Sequence, residues 1–323
     1  MRALRRTAIV ALVLAFLQIV LGAVVRITGS GMGCGDHWPD CYGSYTPAHS
    51  GSGLLIEISH RYGAVALLIA TTLLAIMAVK QARRATAGNE AGAVRKPALV
   101  AAGLVIVAAL FGMLTVKYSL HPLVVVAHLA IAMLLVAFLV VAAVRAGAFG
   151  GGLAGPETAR SFRAARVAVA LTFLVLVLGA LTANIPGASA TCQGFPWCRG
   201  ATGSGTPYSV HITHRIVAFL LLGHLIGAAF AARKRGEPAP VRRAAWIAVG
   251  AIVAQVFVAA AMVEMHLPAA LRSLHQATGT VVWIAVVALM ALSARRQGGV
   301  DPTEIVRESP SRAEFATPEG IST

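Results

Sequence analysis

Apolar residues fall in eight long blocks along the chain, separated by shorter stretches that hold most of the charge. The blocks run roughly 8–25, 63–79, 97–116, 123–144, 167–183, 216–232, 244–263 and 274–292. The hydrocarbon core of a bilayer is ~30 Å thick, and ~20 helical residues cross it. Several blocks fall slightly short, so each is expected to extend by a turn through a polar flank. The pattern predicts an all-α membrane protein of eight transmembrane helices. The first block follows Arg2, Arg5 and Arg6, as a signal peptide would. No small-x-small cleavage site follows it and seven further spans do, so it reads as a retained helix.

The blocks repeat. Leu21-Gly22-Ala23 recurs as Leu178-Gly179-Ala180, and Cys34…Cys41 as Cys192…Cys198. Glu57-Ile58-Ser59-His60-Arg61 recurs as His211-Ile212-Thr213-His214-Arg215, and His121 and His128 recur as His266 and His275. Parallel internal repeats of this kind build many membrane bundles. The expected organisation is two pseudo-symmetric four-helix bundles. Residues 1–147 form one half, 148–163 a cytoplasmic linker, 164–296 the other half and 297–323 a disordered cytoplasmic tail.

Charge adds direction. Of the 27 Lys and Arg, 21 fall before the first span, in alternate connections or after the last span. This is the positive-inside pattern, and it places both termini in the cytoplasm. Composition agrees, with 58% hydrophobic and only 12% charged residues, against ~25% charged in a soluble domain. The net charge of +15 therefore reads as a topology device suited to an anionic leaflet. No basic patch is interleaved with aromatics, which argues against nucleic acid. All four cysteines then lie on the oxidising outer side, two per loop, which predicts disulfides Cys34–Cys41 and Cys192–Cys198. A bridge closing eight residues stabilises by about 2.5 kcal/mol. Simple stapling and a redox role both remain open for these pairs.

Polar ionisable residues in spans default to functional readings. His60 and His128 are placed at the starts of the second and fourth helices, His214 and His275 at the starts of the sixth and eighth. All four helices run inward, so the histidines share one depth near the outer face. Two facing imidazoles per half suit axial ligation of haem iron in a bundle core. Arg26, Arg61, Arg215 and Arg272 are candidate partners for haem propionates. Zinc is the rival, but no Cys or His ligands show the spacing of a structural site. His37 and His49 read as loop residues, His121 and His266 as interfacial, and His224 as a packing residue. Glu57 stands three residues before His60, where the second half has His211. Helical spacing puts both on one face with the histidine that follows. A carboxylate there is costly unless paired or used. A salt bridge to Arg61 or Arg26 is one reading; a general base or electrostatic stabiliser is the other. The remaining outer acids, Asp36, Asp40 and Glu264, are assigned to loops.

The run Gly22 to Gly31, with Arg26-Ile27-Thr28-Gly29-Ser30, then Cys34, Trp38-Pro39, Cys41 and Glu57-Ile58-Ser59-His60-Arg61, resembles the haem A synthase family. The resemblance extends over most of the membrane region, through His128, His214 and His275, and the two cysteine pairs are similar to the Gram-positive form. Two local departures are Gly22-Ala23, where Gly-Gly is usual, and Gly35-Asp36-His37, where Pro-Asp is typical. The resemblance implies an oxidoreductase that converts the C8 methyl of haem O to a formyl group, giving haem A for cytochrome oxidase. It implies successive hydroxylations with loss of water from a geminal diol. It also implies substrate haem at His60 and His128, a haem b cofactor at His214 and His275, and a catalytic Glu57. The implied partners are haem O synthase and an electron donor of unknown identity. Two other classes fit parts of the pattern. A di-haem electron-transfer or haem-carrier protein would need no Glu57. A membrane disulfide oxidoreductase would usually carry Cys-x-x-Cys.

Overall fold

A computed structural model describes residues 1–45, 51–84, 91–150, 158–199 and 204–294. It is all-helical: α1 (Arg2–Ile27), α2 (Ser52–Arg84), α3 (Ala91–Lys117), α4 (Pro122–Arg145), α5 (Ala159–Asn184), α6 (Thr206–Lys234), α7 (Ala239–Glu264) and α8 (Ala269–Ser293). All eight are long and apolar enough to cross a membrane, and the chain is a multi-pass membrane protein. The expected tail lies outside the described residues.

Every helix outruns its apolar block, because polar flanks continue the hydrogen-bond ladder into the interfacial zone. α2 starts well before residue 63, and α6 well before 216. The four histidines therefore sit about one and a half to two turns inside their helices rather than at the starts. α5 begins at Ala159, inside the stretch read as linker. Its entry is anchored by the Thr158 hydroxyl, which donates to Ser293 O at 2.5 Å. α3 runs through Pro97, where the apolar block begins. A proline removes the bond to the carbonyl four residues back. That carbonyl, Ala93 O, accepts instead from Arg145 at 3.0 Å.

The helices pack as two rings of four: α1–α2–α3–α4 closed by α1 against α4, and α5–α6–α7–α8 closed by α5 against α8. The rings meet through α4 on α8, α1 on α8 and α4 on α5. Exchanging the halves maps the α1–α8 contact onto the α5–α4 contact. The seam holds the largest buried side chain, Trp283, whose indole N–H donates to Met133 O at 2.8 Å. Away from the seam, Leu17, Ile69, Leu73, Leu220, Ile247 and Phe257 are exposed. In lipid such surfaces need no protein cover, provided the backbone is satisfied within each helix.

The turns repeat as well. Ser119 and Leu120 both have positive φ, as do His266 and Leu267. In each, the second residue's N–H bonds the carbonyl five residues back, Leu120 to Thr115 and Leu267 to Met262, both at 2.8 Å. A proline then opens the next helix or stands just before it. His121 and His266 are exposed at these turns.

Candidate haem sites and the loops above them

Each disulfide loop is held down by one arginine. In the first half Cys34 and Cys41 are bonded, with Cα atoms 4.9 Å apart. Arg61 on α2 donates to His37 O, Pro39 O and Asp40 O at 2.9, 3.1 and 2.7 Å. In the second half Cys192 and Cys198 are bonded, again with Cα atoms 4.9 Å apart. Arg215 on α6 donates to Cys192 O, Gly194 O and Pro196 O at 2.9, 2.7 and 3.2 Å. A fork of rigid donors suits a bundle of loop carbonyls. A second tie links each loop to the third helix of its half. Lys117 Nζ donates to Asp36 O at 2.9 Å, and Phe195 N donates to Glu264 Oε1 at 2.8 Å. Glu264, assigned to a loop above, is the last residue of α7.

Beneath each arginine the halves diverge. Glu57 is 4% exposed. Its Oε1 lies 2.5 Å from Arg61, and its Oε2 accepts from Cys34 N at 2.9 Å. Of the two readings open for Glu57, the ion pair to Arg61 is present in the structure. His211 takes the equivalent place. Its Nδ1 donates to Ala188 O at 2.8 Å, and its Nε2 accepts from Arg215 Nε at 3.2 Å. A charged pair in one half is thus a neutral imidazole beside a guanidinium in the other.

About one turn further along α2 and α6 stand His60 and His214, the first members of the two histidine pairs. His60 and His128 are within electrostatic range of each other, as are His214 and His275. All four rings are half-buried. Each is fixed by a neighbouring helix. His128 Nδ1 donates to Ala108 O at 2.9 Å and His214 Nδ1 to Val175 O at 3.0 Å. His60 and His275 instead meet glutamine side chains. Gln18 Nε2 lies 2.9 Å from His60 Nδ1 and 2.7 Å from His60 O. Gln255 Nε2 lies 3.1 Å from His275 Nδ1 and 3.0 Å from His275 O. The Oε1 of Gln255 accepts from Thr278 Oγ1. Gln18 and Gln255 had been passed over in the sequence because they do not ionise. Their signal was an uncharged but strongly polar amide in the middle of an apolar span.

Glycines let the rings approach. A Cβ at Gly22 would stand 3.1 Å from His60 Cε1, and one at Gly179 only 2.9 Å from His214 Cε1. The departure from Gly-Gly falls on Ala23, which is buried beside this contact and not in it. His224 Nε2 donates to Ala164 O at 2.9 Å, in keeping with packing. His37 is exposed, and His49 lies outside the described residues.

These residues fit a haem. Two imidazoles per half could hold its iron, and each ring is carried on a helix and held by a neighbouring one. Among the described residues no group of three or more His, Cys, Asp and Glu gathers as a protein-only metal centre would require.

The sequence profile of COX15-CtaA, described as a cytochrome oxidase assembly protein, matches residues 5–287. The chain belongs to this family. The COX15-CtaA match runs from within α1 to within α8 and includes all four histidines. Relatives named heme A synthase are similar along it. One from Bacillus cereus is 26% identical over 297 residues, 90% of this chain and 93% of its own. One from Alkalihalophilus pseudofirmus is 30% identical over 216 residues, 64% of this chain and 69% of its own. A third, from Macrococcus caseolyticus, is 43% identical over 65 residues, 20% of this chain and 21% of its own.

Proposed function

We propose that this chain is a haem A synthase that oxidises the C8 methyl of haem O to the formyl group of haem A. The observation that carries the reading is the pair of matched histidine sites, each on two helices, within a family match spanning the membrane region. Haem O occupies the half of residues 1–147, on His60 and His128. A resident haem b occupies the half of residues 164–296, on His214 and His275, and supplies electron transfer.

Oxidation at a porphyrin methyl develops positive charge at the reacting carbon. Glu57 is the acid tied by helical spacing to a ligand of the substrate site. Both of its oxygens already accept hydrogen bonds, from Arg61 and from Cys34 N. That occupancy favours electrostatic stabilisation over proton abstraction. Arg61 and Arg215 spend donors on loop carbonyls, so the propionate role passes to Arg26 and Arg272. These two like charges lie within electrostatic range of each other, and Arg26 also donates to Ala183 O at 3.2 Å. Juxtaposed cations create a positive field that attracts a carboxylate.

The deciding experiment is expression of the chain with a source of haem O, followed by mass analysis of extracted haems. Haem A is the expected product. Persistent haem O beside a normal bound haem b would favour a plain electron-transfer or carrier protein. The orientation proposed has both termini cytoplasmic and the haem sites toward the outer face. Single cysteines placed in 81–96 and 233–243 should label only from the inside; outer labelling would reverse it.

A further inference from the structure

Each proposed ligand has its ring held by a neighbouring helix, and the neighbours are of two kinds. A carbonyl oxygen can only accept. Ala108 O and Val175 O therefore fix the proton on Nδ1 of His128 and His214. Each Nε2 then keeps a free lone pair, as a metal ligand must. The glutamines act on the ring as donors instead. Gln18 directs its amide hydrogens to His60 O and to the His60 ring, its nitrogen 2.9 Å from Nδ1 and 3.4 Å from the ring Nε2; Gln255 does the same to His275, at 3.1 and 3.3 Å. The His275 carbonyl can only accept, so its contact with Gln255 Nε2 settles that the amide nitrogen is the end on this side, with Oε1 against Thr278 Oγ1. Donation to Nδ1 leaves the proton of a neutral ring on Nε2, and donation to Nε2 takes up its lone pair; either way Nε2 is not free for iron while the amide holds the ring.

The arrangement is crosswise. Gln255 stands twenty residues before His275, as Ala108 stands twenty before His128. Gln18 stands four residues before Gly22, as Val175 stands four before Gly179. One backbone-set histidine and one glutamine-set histidine thus occur in each half, on non-equivalent helices.

Resting on the haem reading above, we propose that each pair combines a preset ligand with a reserve one: His128 and His214 are held ready for iron, while Gln18 and Gln255 compete with iron for His60 and His275. Gln18 and Gln255 are positioning residues. To hold iron, His60 or His275 would need the amide to release the ring and leave the Nε2 lone pair free. The competition weakens that bond by about 3–10-fold, the worth of one net hydrogen bond. In the first half a weak second ligand suits a haem that must enter as substrate and leave as product.

Carbon monoxide titration of the reduced holoprotein, followed in the visible spectrum, reads how readily a histidine leaves the resident haem. Gln255→Leu should weaken carbon monoxide binding ~3–10-fold, since His275 loses its competing partner. Thr278→Val, which loosens the far end of the amide, should shift binding in the same direction by less. Gln18→Leu should leave the titration unchanged and raise the amount of haem O retained through purification. Unchanged or tighter carbon monoxide binding in Gln255→Leu overturns the proposal for the second half. Thr278→Val decides it if the first variant takes up no haem. Unchanged haem O retention in Gln18→Leu overturns it for the first half. The underlying reading fails separately: if neither His214→Ala nor His275→Ala alters the low-spin spectrum, these residues are not ligands at all.

Discussion

The two halves share their helices, their loop arginines and their histidine positions, and differ most in what sits under the arginine. In the first half the fork of Arg61 is neutralised by Glu57; in the second the fork of Arg215 leans on neutral His211. Both arrangements clamp a disulfide loop, so the clamp does not require an acid. The carboxylate also accepts from Cys34 N, so the first half has a charged tie to its loop where the second has a neutral one.

The sharpest way to break this comparison is to remove ligands from each half in turn. His214→Ala or His275→Ala should abolish the low-spin haem b spectrum. His60→Ala or His128→Ala should spare that spectrum and stop haem A formation. A full b-type spectrum without both His214 and His275 would mean that the roles of the halves are reversed.

Glu57 comes next. Glu57→Ala should lower haem A yield by ~10²-fold, the scale of losing one well-placed electrostatic group. The haem b spectrum should remain, and haem O or a hydroxylated intermediate should accumulate on mass analysis. Normal yield would remove Glu57 from the chemistry and leave it as a partner of Arg61.

A smaller effect is expected from the glycine contacts. Gly179→Ala places a methyl 2.9 Å from His214 Cε1, against 3.1 Å for Gly22→Ala and His60. Something must shift in the first case, at a cost of 1–3 kcal/mol on the usual scale of overpacking. Gly179→Ala should thus lower retained haem b by about 10-fold, and Gly22→Ala should affect haem O oxidation less. Equal effects of both variants on the b-type spectrum would contradict separate sites.

Smallest for turnover are the disulfides. Cys34→Ser or Cys192→Ser should cost about 2.5 kcal/mol of stability in the chain-entropy model, seen as a lower thermal midpoint. Turnover per folded molecule should hold if the bridges are staples. Selective loss of turnover would point to a redox role.

Much of this was legible in the sequence, for physical reasons. A 30 Å apolar slab imposes a long-range pattern on the chain, so eight spans and their repeat stand out. The histidines stand out because ionisable groups are rare there. Helix starts were misjudged at α2, α5 and α6 because polar residues extend a helix into the interface as readily as they end it. Pro97 hid the start of α3 because its lost bond is replaced by Arg145, 48 residues away in sequence. The roles of Arg61 and Arg215 depend on where loop carbonyls point, which no residue pattern encodes. Gln18 and Gln255 carry no charge to mark them within their spans, and the donor geometry of an amide emerges only once two helices are side by side.

The seam of α4, α8, α1 and α5 has the form of an isologous dimer interface, with one patch meeting its own counterpart across a two-fold. α4 of one ring ends at Arg145 and α5 of the other begins at Ala159. Cutting the chain there should leave two fragments that find each other in the bilayer, guided by Trp283 and the Met133 carbonyl. Seen that way, the single chain is a dimer that no longer depends on concentration. Within one chain the two copies need not stay alike, and here one carries Glu57 where its twin carries His211.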